Sequence, residues 1–407
     1  HALDDTHLEV DAFCRDLLRV HLDFAGSCLE GEALEGLASK LEEQVQGLER
    51  FLHGVRYLGE VPPFVRDRVL SAGERLSAQL LTCVLQQEGL SPRLLLPEEM
   101  GLVCDGVFAD ATLDLVHSSE PVQQALAGVS LAVVPGFYAV GPDGRFRTLG
   151  RGGTDHTAAG LAHCLSADSL DLWKDVPGFM SADPRQVPSA QPVRQLSYLE
   201  AAELSYFGAR ILHPRTFAPL VGKGIPLRLF NICTFEGTLE EETRINGVSP
   251  RAQGIIKSVS YADDFGILQF SGPAVGVRPG IVATISDHLH RASVNIRTIL
   301  TSQTRINMLL GKTDLEKAYH LVGGTTVDGV ERIRAVDGIS VIAAVGEGVI
   351  ETPGLGVRLM GAVSALGINL LMVSMGASPV AIYLVLEQKD RQAALQAIHR
   401  EFFHENH

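Results

Sequence analysis

A glycine-rich segment lies between a strand-like apolar run and a helix pattern of small residues. It limits the folds open to this chain more than any other segment. The segment reads LGRGGTDHTAAG from Leu149 to Gly160. Its glycines allow a tight turn that brings backbone N–H groups close to an anion, and the positive end of the following helix favours the same anion. Arg151 adds a charged fork that suits a carboxylate or a phosphate. The segment predicts an anion-binding loop or, alternatively, a glycine-rich turn that caps an ordinary helix.

Polar side chains begin the helix pattern that follows the loop. Thr154 is predicted to be the N-cap of this helix, because its hydroxyl can accept a hydrogen bond from the first turn. Asp155 adds a carboxylate near the positive end of the helix dipole. Before the loop, helix and strand patterns alternate, and Asp143-Gly144 predicts a hairpin turn. Such alternation predicts an α/β sheet whose ligands bind beyond the carboxyl ends of the strands, where Phe137 and the loop occur.

Hydrophobic periodicity predicts several further elements. Residues 1–55 show apolar positions at helical spacing, and Tyr198–Phe207 reads as an amphipathic helix that ends at a glycine. The predicted strands are Val129–Val134, Leu170–Trp173 and Ile225–Phe230.

The net charge argues against two classes of binding partner, and the composition indicates the type of protein. A net charge of −14 argues against general binding to nucleic acid or to an anionic membrane surface, so we expect neither partner. With 46% hydrophobic and 20% charged residues among 407, the chain is typical of a globular protein with two or three domains. No apolar run is long enough to span a bilayer, no signal peptide is visible, and the six cysteines form no CxxC pair. We therefore expect a cytoplasmic protein with reduced cysteines.

Two other segments place charged residues beside small or turn-forming ones. After a pair of prolines, Glu74 and Arg75 interrupt a small and apolar stretch. Glu74 can receive a substrate ammonium group there, or the two residues form a surface ion pair. The segment Lys174–Arg185 holds charges on Pro-Gly and Asp-Pro turns, which indicates a functional loop or simply a solvated one. His213, before a proline, is predicted to be a packed structural residue.

A polar linker and an internal repeat mark a second region. The linker spans Asn246–Arg251, and the chain beyond it is more apolar. Pro-Gly at 279–280 and again at 353–354 precedes an apolar helix pattern, and an asparagine follows each proline by 16 residues. A strand pattern comes before each copy, so each copy reads as a βαβ unit. We predict domains over 1–246 and 247–407, with repeats at about 255–315 and 338–390.

Four stretches in this order resemble the aspartate kinase family, which has the amino-acid kinase fold. They are GERLSA (73–78), LGRGGTDHTAA (149–159), LWKDVPGFMSADPR (172–185) and LSYFGARILHPRT (204–216). The last stretch is most similar to members fused to homoserine dehydrogenase and to lysine-sensitive members, and the repeat resembles tandem ACT domains. The resemblance implies a three-layer αβα sandwich followed by two α+β ferredoxin-like ACT domains.

The resemblance also implies phosphoryl transfer from ATP, with Mg²⁺, to the β-carboxylate of L-aspartate, the first step toward lysine, threonine and methionine. Such chemistry needs positioned cations more than a covalent nucleophile. Arg151 and Asp155 are the implied catalytic residues, and no side chain is implied as a metal ligand. The implied aspartate-binding residues are Glu74, Phe137, Arg151, Thr154 and Asp155. The implied ATP-binding residues are Gly150, Gly152, Gly153, Lys174, Asp175, Met180, Arg185, Arg210 and Ile211.

The sequence departs from the family pattern at several positions. Met180 replaces a common tyrosine, Arg210 replaces a common lysine, and Thr154 stands where serine is usual. Nothing before Glu74 resembles the family's opening Lys-x-Gly-Gly-Thr segment, whose lysine stabilises the transferring phosphoryl group. We expect that segment to lie upstream of His1, since its true absence would mean a disabled enzyme.

The resemblance implies an effector amino acid at the interface of ACT units. The implied effector-binding residues are Gly280, Ile281, Asn295, Arg297, Ser302 and Gln303. Arg297 and Gln303 stand where lysine-inhibited members carry an acidic residue and a glutamate, and a cation opposite the lysine ammonium is unfavourable. We predict weak inhibition by lysine, a different effector such as threonine, or no effector. The family expectation is a homodimer or larger homo-oligomer through the ACT domains.

Three functions stay open at this point. The first is a feedback-regulated aspartate kinase. The second is a catalytically silent, ACT-containing regulatory subunit that binds amino acids. The third is another amino-acid kinase that acts on glutamate or a related acid. The residues upstream of His1 and a direct assay with aspartate discriminate among them.

Overall fold

The computed structural model describes residues 7–208, 211–248, 250–252, 255–324 and 327–403. The chain forms two compact units and passes between them more than once. The first unit contains the residues up to Trp173 together with Leu212–Leu229. The second unit contains Lys174–Ile211 and the residues from Phe230 onward.

Helices and strands alternate through most of the chain. In chain order, the helices are α1 (His7–Cys28), α2 (Gly31–Leu58), α3 (Pro63–Leu70), α4 (Ala72–Gln87), α5 (Pro97–Met100), α6 (Leu115–Leu126), α7 (Gly153–Leu165), α8 (Tyr198–Tyr206), α9 (Ala218–Val221), α10 (Ile281–Arg291), α11 (Lys312–Gly323), α12 (Leu355–Ser364) and α13 (Arg391–Phe403).

The strands are mostly short in the first unit and longer in the second. In chain order, they are β1 (Arg93–Leu94), β2 (Ala132–Val133), β3 (Tyr138–Val140), β4 (Phe146–Thr148), β5 (Leu170–Lys174), β6 (Gln195–Ser197), β7 (Leu227–Asn231), β8 (Thr243–Asn246), β9 (Ser258–Ala262), β10 (Phe265–Ser271), β11 (Ile296–Thr301), β12 (Arg305–Gly311), β13 (Arg332–Val336), β14 (Ile339–Val345), β15 (Met372–Met375) and β16 (Ala381–Glu387).

A helical layer opens the first unit, as the sequence predicts. In α2, Leu37 and Leu41 recur at helical spacing and are buried. They share a core with Leu76 and Leu80 of α4. This core fixes the inner face of α4, while Glu74 in its first turn is only half-buried.

Short strands of the first unit lead to the glycine loop. β1 and β2 pair in parallel, and β3 and β4 form the predicted hairpin, whose turn residue Gly144 has a φ of 73°. The predicted strand Val129–Val134 is wrong in its first half, because only β2 forms. The Val129 N–H instead donates to the carbonyl of Leu126 and closes a turn after α6. The strands predicted at Leu170–Trp173 and Ile225–Phe230 are confirmed as β5 and β7.

The second unit contains two α+β repeats. In the first repeat, the sheet has the order β11-β12-β10-β13 with antiparallel pairing, and α10 and α11 cover a core that includes Leu268, Ile285 and Leu310. In the second repeat, the order is β15-β16-β14-β9, with α12 and α13 over the core. β9 precedes the whole first repeat in the chain. The first repeat is therefore inserted between two neighbouring strands of the second sheet.

The predicted Pro-Gly repeat marks equivalent helix starts. Gly280 caps α10 with a φ of 90°, and Gly354 caps α12 with a φ of 80°. Glycine adopts this left-handed backbone without the steric cost that a side chain would add. The two copies therefore begin their helices in the same way, as the sequence predicts.

A buried ion pair joins α8 to the second repeat within the second unit. Glu200 is fully buried and accepts a hydrogen bond from Lys257 Nζ at 3.0 Å. Glu200 also accepts from the backbone N–H groups of Ser197 at 2.7 Å and Glu347 at 2.8 Å. Because a buried carboxylate needs several partners, this network fixes α8 against the linker before β9 and the loop after β14.

Candidate active site

The glycine loop has the backbone that an anion-binding turn requires. Gly150 and Gly152 adopt φ values of 70° and 72°, in the left-handed region that favours glycine. Gly152 is the N-cap, and α7 begins at Gly153. The prediction that Thr154 is the N-cap is therefore wrong. A glycine in the left-handed conformation ends the loop two residues earlier, which places Thr154 inside the first turn.

Close neighbours exclude a side chain at each loop glycine. A Cβ atom at Gly150 would lie 2.6 Å from Asp110 Oδ1, and one at Gly152 would lie 2.5 Å from the Cβ of His213. A Cβ at Gly153 would lie 2.8 Å from the ring of Phe137. These distances are shorter than real Cβ contacts. The loop is thus packed closely against three separate segments of the first unit.

The structure brings three predicted aspartate-binding residues together. The hydroxyl of Thr154 donates to Glu74 Oε1 at 2.9 Å, although the two residues are 80 positions apart. Phe137 lies against Gly153, and its N–H donates to the hydroxyl of Thr157 at 3.0 Å. The first turns of α4 and α7 and the segment before β3 therefore meet at one place.

Arg151 and Asp155 belong to the same loop and helix start. The Arg151 side chain is exposed, and it forms no ion pair with any residue that the structure describes. Asp155 is half-buried in the first turn of α7. An exposed guanidinium beside backbone N–H groups at a helix N-terminus can bind a carboxylate or a phosphate.

Arg215 supports the glycine loop and was missed as a functional candidate. Its guanidinium forms two hydrogen bonds to Asp110, at 2.7 and 3.1 Å, and a third to the carbonyl of Leu149 at 3.4 Å. Its carbonyl accepts from His156 Nδ1 at 3.1 Å, and its N–H donates to His213 at 3.4 Å. In the sequence, Arg215 is the basic residue of the HPRT stretch. It lies far from Asp110 and Leu149 along the chain, so the sequence pattern does not reveal their contact.

A buried carboxylate holds the other side of the loop. Asp67 in α3 is fully buried. It accepts from the N–H of Ala109 at 3.0 Å and from both the N–H and the hydroxyl of Thr148 at 3.1 Å. Three hydrogen bonds offset much of the cost of burying the charge. Asp67 therefore fixes the end of β4, immediately before the loop.

The predicted nucleotide-side residues outside the loop lie in the second unit. Lys174 ends β5 and is half-buried, Asp175 is exposed, and Met180 and Ile211 are half-buried. Arg210 lies outside the described residues. Arg185 is exposed and forms two hydrogen bonds to the carboxylate of Asp183, at 2.9 and 3.0 Å, which hold the pKa of Asp183 below its ordinary value.

The segment from Asp175 to Val187, here called the nucleotide-side loop, is anchored to the second repeat. The Met180 carbonyl accepts from the Ser258 hydroxyl of β9 at 2.7 Å. The buried Ser181 hydroxyl lies 2.9 Å from His399 Nε2 of α13 and accepts from the Gln191 N–H at 2.8 Å. The core of the second unit therefore determines the conformation of this loop.

A family model described as the amino acid kinase family matches residues 15–231, more than half of the chain. The chain belongs to the amino acid kinase family. A second model, described as an ACT domain, matches residues 342–402. The family match covers the glycine loop and every described residue of the two predicted substrate sites. The ACT match covers most of the second repeat.

Curated relatives of this kinase-family chain carry aspartokinase names. A bifunctional aspartokinase/homoserine dehydrogenase of Buchnera aphidicola is 28% identical over 373 residues, which are 89% of this chain and 45% of that protein. An aspartokinase of Schizosaccharomyces pombe is 29% identical over 381 residues, which are 87% of this chain and 72% of that protein. The chain thus spans about half the length of the bifunctional relatives. The predicted resemblance to aspartate kinases is confirmed.

Solved structures confirm the predicted fold class. E. coli aspartokinase III in complex with aspartate and ADP matches with a TM-score of 0.77 and 23% identity, over 90% of this chain and 81% of that chain. An aspartate kinase of Clostridium acetobutylicum matches with a TM-score of 0.73 and 22% identity, over 95% and 88% of the two chains. The amino acid kinase fold is therefore followed by ACT-type α+β repeats in this chain.

The predicted effector residues of the kinase lie in the first repeat. Ile281 at the start of α10 is buried, whereas Gly280, Asn295, Ser302 and Gln303 are exposed. Arg297 on β11 is also exposed. Its guanidinium donates to the Tyr206 hydroxyl of α8 at 2.8 Å and lies 4.9 Å from the centre of that ring. Arg297 is thus engaged by an aromatic residue within the second unit.

One cluster of side chains has the residue types of a metal site. Among the described residues, Asp11, Glu49 and His53 bring potential ligand atoms within 4.8 Å of one another. His53 Nε2 lies 2.9 Å from Asp11 Oδ1, so a hydrogen bond between α1 and α2 accounts for the closeness of these two residues. No described helix is long and apolar enough to cross a membrane.

Proposed function

We propose that this chain is an aspartate kinase, which transfers the γ-phosphoryl group of ATP to the β-carboxylate of L-aspartate. The observation that carries the proposal is the contact between Glu74 and Thr154, 2.9 Å long, beside Phe137 and the glycine loop. Glu74 offers a carboxylate to an ammonium group, and Arg151 offers a guanidinium to a carboxylate. An α-amino dicarboxylate requires both kinds of group.

The roles of the aspartate-side residues follow from their chemistry. Arg151 binds a carboxylate of aspartate, while Glu74 receives the ammonium group. Thr154 holds Glu74 through its hydroxyl, and Phe137, which packs against Gly153, lines the aspartate site. Asp155 stands in the first turn of α7, beside the groups that react. The substrate carboxylate is the nucleophile, so the protein supplies orientation and charge.

The residues proposed to bind ATP also act through charge and through the backbone of the glycine loop. The turn at Gly150 and Gly152, closed by the Gly153 N–H donating to the Gly150 carbonyl at 3.0 Å, presents the N-terminus of α7 to a phosphate, and the helix dipole favours that anion. Mg²⁺ enters with ATP as part of the substrate and neutralises phosphate charge. The residues proposed to bind ATP outside the loop are Lys174, Asp175, Met180, Arg185, Arg210 and Ile211. Support for these six residues comes from the resemblance of their segments to aspartate kinases.

The proposal assigns regulation to the C-terminal region. Residues 1–246 are proposed as the catalytic domain and 247–407 as the tandem ACT region. An amino acid, lysine or threonine, is proposed to bind at Gly280, Ile281, Asn295, Arg297, Ser302 and Gln303, with oligomers forming through the ACT repeats. Because Arg297 is a cation, we expect weaker inhibition by lysine than in lysine-sensitive relatives. A cytoplasmic location agrees with six free cysteines.

A hydroxamate assay of the full-length protein tests the proposal. With L-aspartate, ATP and Mg²⁺, we expect aspartyl phosphate to form, to be trapped by hydroxylamine, and to require all three components. L-glutamate in place of aspartate is the matched substrate control and should give little product. Binding of an amino acid without any product would instead favour a regulatory subunit. Faster turnover of glutamate would favour another amino-acid kinase.

A further inference from the structure

Three side chains behind the proposed aspartate site form a closed hydrogen-bonded ring. The Arg75 Nη1 group donates to Glu98 Oε1 at 2.5 Å and to the Tyr138 hydroxyl at 2.7 Å. The Tyr138 hydroxyl in turn donates to Glu98 Oε2 at 2.9 Å. Each member therefore bonds to both others. The ring joins the first turn of α4, helix α5 and the first residue of β3.

Burial makes this ring costly to open. The Tyr138 side chain is fully buried, and burial raises the pKa of its hydroxyl above the ordinary value, so it stays neutral and donates. The Arg75 and Glu98 side chains are only 15% and 29% exposed. A buried hydroxyl or charge that loses its partners pays the full desolvation penalty.

A second cation, Arg68, lies near the hydrogen-bonded ring and adds positive charge that Glu98 has to balance. The Arg68 guanidinium lies 4.2 Å from the centre of the Phe146 ring, and that of Arg75 lies 5.4 Å from the same centre. Burial, followed by the charge of Arg75, lowers the pKa of Arg68. Two guanidinium groups thus lie close to one aromatic ring, and the carboxylate of Glu98 offsets their repulsion.

The position of the ring in the sequence connects it to substrate binding. Arg75 directly follows Glu74, and Tyr138 directly follows Phe137. Phe137 has a φ of 74°, which is unfavourable for a residue with a side chain and must be held by its surroundings. The ring fixes the residue after each proposed ligand, on the two segments that reach the start of α7 through the Glu74–Thr154 hydrogen bond and the packing of Phe137 on Gly153.

We infer that Arg75, Glu98 and Tyr138 are positioning residues that fix Glu74 and Phe137 for aspartate. The inference rests on the proposed function. None of the three needs to touch the substrate. They act by holding the two backbone segments at one separation, so that the Glu74 carboxylate and the Phe137 ring face the substrate without further ordering. Prior ordering of this kind strengthens binding, because the substrate does not have to fix the segments itself.

The Tyr138→Phe variant tests this inference most cleanly. It keeps the buried aromatic side chain and leaves Arg75 paired with Glu98. Only the two hydrogen bonds of the Tyr138 hydroxyl are lost. We expect the KM for L-aspartate to rise about five- to tenfold, with kcat and the KM for ATP within twofold of the wild type. Arg75→Lys keeps the charge but not the fork, and should give an intermediate rise.

Tyr383→Phe is the matched control. The Tyr383 hydroxyl donates to Glu203 at 2.7 Å within the second unit, so the same atom is removed from a Tyr–Glu hydrogen bond between two half-buried residues. We expect a similar loss of Tm without a change in the KM for aspartate. Equal changes in that KM for both variants would overturn the inference, as would a loss of Tm in Tyr138→Phe with an unchanged KM. An inactive wild type would overturn the proposed function and this inference together.

Discussion

The glycine loop of the first unit and the nucleotide-side loop of the second unit are both irregular segments that carry charged residues, the first turned by glycines and the second by Pro-Gly and Asp-Pro turns. They are anchored in different ways. Arg215, Asp67 and Glu74 hold the glycine loop or its ends through contacts inside the first unit. Ser258 and His399, from the α+β repeats, hold the nucleotide-side loop. One loop depends on contacts in the first unit, and the other depends on the α+β repeats of the second.

This difference predicts separable effects on the two substrates. Changes around the glycine loop should alter the handling of aspartate and the chemical step. Changes at the base of the nucleotide-side loop should alter the handling of ATP and should respond to whatever disturbs α13 or β9.

Arg151→Ala should have the largest effect, because it removes an exposed cation from the proposed site. We expect kcat/KM to fall by about 10²–10³-fold, since one well-placed donor to a developing charge contributes that much. The Tm should stay within about 2 °C, because Arg151 makes no ion pair with the described residues. Steady-state kinetics and thermal melting measure both. Arg19→Ala, at another exposed arginine, should leave both unchanged; a large loss of Tm in Arg151→Ala would mean that Arg151 is structural.

Arg215→Ala should come next, because the loop loses its contacts to Asp110 and Leu149. We expect a roughly tenfold fall in kcat, since a small displacement of catalytic groups costs rate. Arg228→Ala is a matched control, because Arg228 makes a similar two-bond pair with Asp171 in the same unit. Comparable losses of kcat in the two variants would contradict a specific role for Arg215.

Ser181→Ala should affect the nucleotide-side loop without affecting the glycine loop. It removes the hydroxyl that contacts His399 and accepts from Gln191, so about 1–3 kcal/mol of unfolding free energy should be lost. We expect the KM for ATP to rise about threefold to fivefold, with the KM for aspartate unchanged. Ser118→Ala, which also removes a buried serine hydroxyl from two hydrogen bonds, is the control in the first unit. A change in the KM for aspartate alone would contradict the assignment of the nucleotide-side loop to ATP.

The pH dependence of stability should report the packing of the glycine loop through His156. Burial lowers the pKa of His156 below its ordinary value, so the unfolded chain binds this proton more readily than the folded chain. The contribution of neutral His156 to the free energy of unfolding is therefore lost as the pH falls below about 6.5. Between pH 8 and pH 5 the wild type should lose more Tm than His156→Gln. Parallel melting profiles for the two proteins would show that His156 does not contribute.

The sequence predicted the parts of this molecule that follow from local pattern. Repeated Pro-Gly helix starts and the Asp-Gly hairpin depend on near neighbours, and the structure contains them. The N-cap at Thr154 failed because a glycine in the left-handed conformation can cap a helix without a side chain. Strand Val129–Val134 shortened because a turn after α6 competes for its first residues.

Contacts between distant segments were beyond pattern analysis. Arg215 reaches Asp110 across 105 positions, and Tyr138 reaches Arg75 across 63. Periodicity and spacing report only which face of an element is buried. They do not report which buried groups meet, so the support behind the site became visible only in the folded chain.

The role of Glu74 in receiving the substrate ammonium group is measured by comparing L-aspartate with succinate, which lacks that group, in the wild type and in Glu74→Gln. If Glu74 receives the ammonium group, the wild type should phosphorylate aspartate at least 100-fold more efficiently than succinate, because an unpaired charge in the site is costly. In Glu74→Gln that preference should fall about tenfold or more. Full retention of the preference in Glu74→Gln, or no phosphorylation of aspartate by the wild type, would contradict the account.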